Sequence, residues 1–592
     1  MRKIGKSLLS LLLVLVMLVQ LMPTQAVRAW ADDATETGKE EAQEAADAVP
    51  VGEDNSKREA NIKQFRMSDG SMLAVTYPHA VHFEEDGSWT EIDNRLEAVE
   101  AEKLLAQEAA FPANEEQEPL WDAGELLYHN RQNRFGVMLP VTLHEESWFG
   151  VSDSGHELYF RLAGTQASES LVEEEDVPGD DPLSKAIFVH YYSTVRYPEA
   201  LPGAELRYEV SGQSLKEAIT FPEAGLVPEQ LSYEIRAEGL RAEVAEDGEI
   251  RFFAEGELAF VFPAPFLMDG ADNREGKVSV ELEELGEGSY LLRYTPEREW
   301  LESEERVWPV VVDPVVFSDV DTNYILDSYV DQLTHYLNYG MDGYLCVGTQ
   351  GDPNTRRRAL IKYGQLPELE SGDVIVNAVQ RVMGNTNRNY AEPILVEAHA
   401  ITSNWYSQSV RWMNQPGHEE EVLDFQYVGP EMLDSNHEKY WFWDVTSAVQ
   451  RWYNGGASNK GSLENQGIML ISPSEDGTEQ HQAYFYSADC QGTAKWPMLF
   501  ITYRNTTGLE SYWDYTSASA GRAGTASVNN FTGNLVLSRS DMSYSGSRMP
   551  ANITFTYNQN DGNTNIGYGR GWRCCYSQYL ELVRLAGVYL KM

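Results

Sequence analysis

KYWFWDVTSAVQRWYNGG, residues 439–456, decides how this chain is read. Tyr440 to Asp444 alternates as a strand does, with aromatic residues at most of its positions. Thr446 then stands where an N-cap belongs, Val449, Trp452 and Tyr453 recur at helical spacing, and Gly455 and Gly456 stop the turn. A strand therefore feeds one short helix inside a chain whose other segments read as β.

Working outward, the preceding stretch carries Asp327-Ser328-Tyr329-Val330, Asn338-Tyr339-Gly340, Leu345-Cys346-Val347-Gly348 and Arg358-Ala359-Leu360-Ile361-Lys362-Tyr363. Trp405, Val410-Arg411-Trp412 and Asn414-Gln415-Pro416 come next, and Gly467-Ile468-Met469-Leu470 and Pro497 to Tyr503 follow the opening stretch. In this order the motifs resemble the DNRLRE-type carbohydrate-binding domain over roughly residues 315–505. The resemblance implies a jelly-roll β-sandwich with one short helix, reversible polysaccharide recognition and no catalysis.

Ahead of it, residues 60–314 read as a β-rich region of one or two domains, with strand-like runs such as Met72 to Tyr77, Phe135 to Leu139 and Ala204 to Val210. Glu97 to Ala110, rich in Ala, Leu and Glu, reads as a surface helix. Trp89 to Leu96, Tyr208 to Lys216 and Trp308 to Pro314 resemble the region ahead of such domains in bacterial Rhs/YD-repeat wall proteins. Beyond Tyr503, Asn529 to Leu535 and Gly567 to Arg573 resemble the opening of a YD-repeat shell, so residues 506–592 read as its truncated start. The fold class is thus mainly β and multidomain.

Arg2, Lys3 and Lys6 precede an apolar run from Leu8 to Met22 and a small-x-small site at Ala29-Trp30-Ala31. Residues 1–31 therefore read as a secretory signal peptide, with no membrane span left after cleavage. Residues 32–59, mostly Ala, Glu and Asp, read as a disordered acidic linker. The chain of 592 residues carries a formal charge of −47, from 92 acidic and 45 basic side chains. Such a balance argues against nucleic acid as a partner, because phosphate binding needs a basic footprint. It suits solubility outside the cell, and the resemblance implies an extracellular, secreted or wall-associated protein whose partner is polysaccharide.

Four cysteines are too few for a disulfide scaffold; Cys346 and Cys490 either pair or stay as thiols. Arg358 and Lys362 share one face of their strand, opposite Ala359, Ile361 and Tyr363, and Tyr440 points away from Trp443. These three form the expected sugar-binding surface, and the acidity of the region favours a neutral polysaccharide unless Arg356 to Arg358 make a local basic patch. Pairing of the two cations with surface acids is the simpler alternative. No cofactor is expected: Asp327, Asp331 and Asp489 are candidate oxygen donors for a structural calcium, without a loop of calcium-binding spacing. No G-x-S-x-G or H-E-x-x-H motif occurs, so the chain reads as non-enzymatic. Two other readings stand beside this one: a spacer in a toxin-delivery protein of the Rhs/YD type, and a polysaccharide hydrolase or lyase within residues 60–314.

Overall fold

The computed structural model describes residues 48–585 and 588–591, except 108–119, 123, 146, 178, 272–275, 287, 314, 318–322, 371–372, 386–392, 430–438, 454–462, 479, 506–508, 510–512, 546–549, 561–564 and 577–581. The expected signal peptide, residues 32–47 of the expected linker, and Gly455 and Gly456 lie outside the described residues. No helix among the described residues is long and apolar enough to cross a membrane.

Two antiparallel sheets face each other in a sandwich. Its strands are β1 (Pro50–Glu53), β2 (Ile62–Met67), β3 (Met72–Thr76), β4 (Ile325–Asp331), β5 (Tyr344–Gln350), β6 (Arg356–Tyr363), β7 (Asp373–Met383), β8 (Ile394–Ile401), β9 (His418–Val428), β10 (Tyr440–Asp444), β11 (Ile468–Ile471), β12 (Gln480–Tyr486) and β13 (Met498–Asn505). The first sheet runs β1-β2-β3-β13-β7-β10, and the second runs β9-β8-β11-β6-β5-β12 with β4 also on β6. Alternation explains the packing: Ala359, Ile361 and Tyr363 of β6 and Trp441 and Trp443 of β10 point into one shared core. Both indoles satisfy their N–H groups inside, Trp443 on the Val396 carbonyl at 3.1 Å and Trp441 on the Tyr427 carbonyl at 3.2 Å.

After β10 the chain turns into α1 (Thr446–Tyr453), which presses Val449 into the core and lays Trp452 and Tyr453 against it. The capping differs from expectation. Asp444 Oδ1 accepts the Thr446 N–H at 2.8 Å, while the Thr446 hydroxyl accepts the Ala378 N–H at 2.8 Å. The threonine is thus used to tie the helix to β7, and the aspartate two positions earlier takes the terminal N–H.

The sandwich does not begin near residue 315. β3 pairs with β13 from Met72↔Tyr503 to Thr76↔Leu499, and Ile62 and Ala74 lie in the common core. Residues 50–57, expected within a disordered linker, form β1 and the 3-10 turn Asn55–Lys57. Arg58 holds Glu53 with two bonds of 2.6 and 2.8 Å, which offsets the chain's acidity at that point.

Between β3 and β4 the chain makes an excursion: strands from Asp93–Glu100 to Val315–Phe317 link by antiparallel pairings into a closed barrel with its own apolar interior. Glu97 to Glu100, expected as helix, belong to the first of these strands, and the helix begins only at Ala101. Cross-strand pairing with Leu126–Gln132 outweighs the local helix preference there. A further sheet of five strands runs from Tyr515–Ser519 to Trp572–Cys574. Cys346 and Cys490 do not pair with each other.

The link 187–191 between two barrel strands rests on the outer face of the first sheet. Phe65, Leu73, Val75, Trp496 and Met498 pack there with Ile187, Val189 and Tyr191. At the rim, Glu175 accepts from the Thr493 N–H at 2.8 Å and its hydroxyl at 3.3 Å, and Gln491 donates to Glu209. Burial pushes the Glu175 carboxyl up to about 7, against hydrogen bonds from Thr493 that lower it, with the Glu209 charge adding to the rise. A carboxyl whose folded value is raised favours the folded state below its ordinary value near 4.5 and loses that contribution as pH climbs towards 7. Glu175→Gln should therefore gain stability relative to the parent at pH 8 but not at pH 5. Thermal melts at the two values should show a difference of about 2–4 °C; an equal effect at both would refute the assignment.

Candidate functional site

The outer face of the second sheet is partly roofed. Val330, Leu360, Ile401, Met469 and Ile471 form an apolar floor, and the segment 402–417 lies over it through Trp405 and Val410. Trp405 donates to the Gln466 carbonyl at 2.9 Å. The segment 332–343 locks against this roof: Asn338 Nδ2 donates to the carbonyls of Ser407 and Val410, both at 2.7 Å. A side chain at Gly340 would put its Cβ 2.1 Å from the Ser407 oxygen, so only glycine allows the approach.

Arg358 and Lys362 are both drawn into this construction. Arg358 makes two bonds to Glu475, 2.5 and 3.1 Å, and one to Gln415 Oε1 at 3.1 Å, with its guanidinium 5.2 Å from the Trp412 ring centroid. Lys362 Nζ donates to Asn404 Oδ1 at 3.0 Å and Gln466 Oε1 at 2.9 Å. The two cations thus fasten the roof to the sheet. Tyr440 is not with them. Its strand pairs with β7 in the first sheet, its hydroxyl donates to the Ala494 carbonyl at 2.9 Å, and Arg381 lies 4.3 Å from its ring centroid. One surface holding Arg358, Lys362 and Tyr440 is therefore not what the fold builds: alternation gave the right side of each strand but not the sheet.

The basic patch that Arg356 to Arg358 would need for an acidic glycan is neutralised. Arg356 pairs with Asp476, Arg357 with Asp331 at 2.7 Å, and Arg358 with Glu475. Each guanidinium has its own carboxylate, so the face offers no excess positive charge to a polyanion.

Beside the Arg358–Trp412 contact opens a cleft of about 450 Å³ lined by Gln332, Leu333, His335, Asn354, Trp412 and Met413. Leu333 is 55% exposed and Met413 68%. Tyr336 and Tyr406, on the same two interlocked segments, are also largely exposed. Apolar side chains displayed in this way on ordered loops mark a binding surface more often than a structural one. Gln332 supplies the sharpest signal, because its side-chain oxygen is buried and accepts no hydrogen bond within the protein. The Trp412 position was visible in the sequence, whereas Gln332, Leu333 and Met413 carry no pattern that separates them from ordinary loop residues.

Among the described residues no group of three His, Cys, Asp or Glu side chains is placed to hold a metal. Asp331 is taken by Arg357, which removes it from the expected calcium donors.

Comparison with known proteins gives three findings. Residues 318–505 match carbohydrate-binding module family 96, and residues 525–591 match a domain of unknown function, DUF6531. The tRNA nuclease WapA of Bacillus subtilis (strain 168) is 23% identical over 514 residues, which is 82% of this chain and 20% of that protein. The tRNA3(Ser)-specific nuclease WapA of Bacillus spizizenii is 22% identical over 515 residues, with the same coverage. The chain thus spans about a fifth of the length of the curated relatives it matches. These names overturn the expectation of a non-enzymatic protein, which rested on the lack of familiar catalytic motifs. They also count against the exclusion of nucleic acid, which rested on net charge alone.

Proposed function

We propose that the cleft beside Trp412 binds a segment of uncharged polysaccharide. The match of residues 318–505 to a carbohydrate-binding module supports carbohydrate as the ligand class. The apolar surface that Leu333, Trp412 and Met413 display beside Gln332 carries the assignment to this cleft. Leu333, Trp412 and Met413 provide apolar surface for the C–H face of a pyranose, and Asn354 and His335 offer further polar groups at the rim. The paired state of Arg356, Arg357 and Arg358 favours a neutral chain over an acidic one.

The relatives named tRNA nucleases match most of this chain while it spans a fifth of them. We read the chain as the surface-recognition part of a protein of that kind, working at the cell surface or outside the cell. A cell-fractionation experiment bears on the location: the native protein should be released from the envelope fraction by competing polysaccharide, and a purely cytosolic distribution would sink that reading.

Affinity electrophoresis of the full chain through gels containing neutral polysaccharides tests the cleft. Gln332→Leu and Met413→Ala should each weaken retardation about tenfold or more, equivalent to about 1.4 kcal/mol. Tyr440→Ala should leave it unchanged. Absence of retardation across a broad panel would favour the spacer reading.

A further inference from the structure

The cleft beside Trp412 belongs to a larger display. Segments 332–343 and 402–417 hold, between them, one acid, Asp342, one arginine, Arg411, and no lysine, in a chain whose residues are 23% charged. In place of charge they expose Leu333, Tyr336, Leu337, Met341, Tyr406 and Met413, with Tyr336 59% and Tyr406 65% accessible. Six large apolar side chains on two short, interlocked segments exceed the scatter of single apolar residues that any surface carries. Nor does the loop lack an inward route for a ring. Tyr339, three positions after Tyr336, turns in and stacks on buried Tyr329 with centroids 4.2 Å apart. Tyr336 is held outward on the same frame.

That frame is built before any ligand arrives. Asn338 ties it to the carbonyls of Ser407 and Val410, the Leu337 N–H donates to the Thr334 carbonyl at 2.8 Å, and the Thr334 and Tyr339 hydroxyls share a bond of 2.5 Å. Side chains presented on an anchored backbone have less freedom left to lose on binding, which favours recognition on a preformed surface. Tyr336 is also continuous with the cleft. The His335 ring, part of the cleft wall, meets the Tyr336 ring edge-on with 5.5 Å between centroids. Tyr406 directly precedes Ser407, so it stands where the two segments lock together.

We propose that the sugar site runs from the cleft onto Tyr336, so that it takes several consecutive units of an uncharged polysaccharide and favours long chains over short ones. This inference rests on the reading of the cleft as a sugar site and adds the length of ligand that the site selects. A tyrosine ring offers a flat face to the C–H groups of a pyranose and a hydroxyl to its oxygens. An uncharged ligand suits segments that present almost no fixed charge for pairing. Each further unit of one chain adds contact without a second cost of bringing two molecules together, so affinity climbs with length until the strip is filled.

The test uses the full chain and the neutral polysaccharide that retards it in gels, partly hydrolysed and separated by length. Isothermal titration calorimetry of each fraction should show affinity that rises with length and then levels off. Tyr336→Ala should weaken binding of the longest fraction about fivefold or more and leave the shortest unchanged, whereas Met413→Ala should weaken both. Because Tyr336 is exposed, its variant should keep the parent's thermal midpoint, which separates a lost contact from a lost fold. Affinity independent of length, or full binding of the longest fraction by Tyr336→Ala, would overturn the extension while Met413→Ala still reports on the cleft. No retardation by any polysaccharide would overturn both readings. Self-association of the parent that disappears in Tyr336→Ala, with sugar binding untouched, would assign Tyr336 to a contact with a second copy of the chain instead.

Discussion

Residues 318–505 produced alone should aggregate, or melt roughly 10 °C or more below a chain of residues 48–505. The segment that matches the carbohydrate-binding module omits β1, β2 and β3, and with them the ladder from Met72↔Tyr503 to Thr76↔Leu499. β13 would turn from an interior strand into an edge, with its backbone groups open to a second chain. The core would also lose Ile62 and Ala74, and Trp496 and Met498 would lose the barrel residues that cover them. Size-exclusion chromatography and thermal melts of the two fragments decide the point. Equal midpoints and monomeric elution of 318–505 would show that the added strands are dispensable.

Trp443→Ala should lower the unfolding free energy of the sandwich by about 3–5 kcal/mol. The indole is fully buried between the sheets, with its ring 5.8 Å from Phe485 and its N–H on the Val396 carbonyl. Removing it leaves a cavity lined by both sheets and strands a backbone acceptor, so two costs add. Urea unfolding followed by far-ultraviolet circular dichroism should show the sandwich transition moving to lower denaturant while the barrel transition, whose core is separate, stays in place. A loss under about 1 kcal/mol would mean that the core collapses onto the vacancy and that the Trp443 contacts are not limiting.

The alternation in Tyr440 to Asp444 and Arg358 to Tyr363 was enough to give inward and outward positions, because period two is a property of the local backbone. It does not say which sheet a strand joins, and this is why Tyr440 was grouped with Arg358 and Lys362. The first three strands were attached to the wrong unit for a related reason. Tyr503 donates to Gln64 across 439 positions in the sequence, and no local pattern records such a partner. Arg358 shows the same limit at the site: Glu475, Gln415 and Trp412 come from different loops, so its role as a fastener becomes visible only once those loops meet. Gln332 is identified by a missing bond, which a sequence does not display.

The sheet shared by residues 50–76 and 373–505 also sets an order of events during synthesis. At about 5–20 residues per second, β3 leaves the ribosome on the order of 20–90 s before β13 exists to pair with it. Throughout that interval an unpaired strand edge and an apolar face would be open to neighbouring chains. The stretch carrying Ile187, Val189 and Tyr191 emerges far sooner and packs against Phe65, Leu73 and Val75. That link between two barrel strands thereby covers one face of the half-sheet before its edge finds β13.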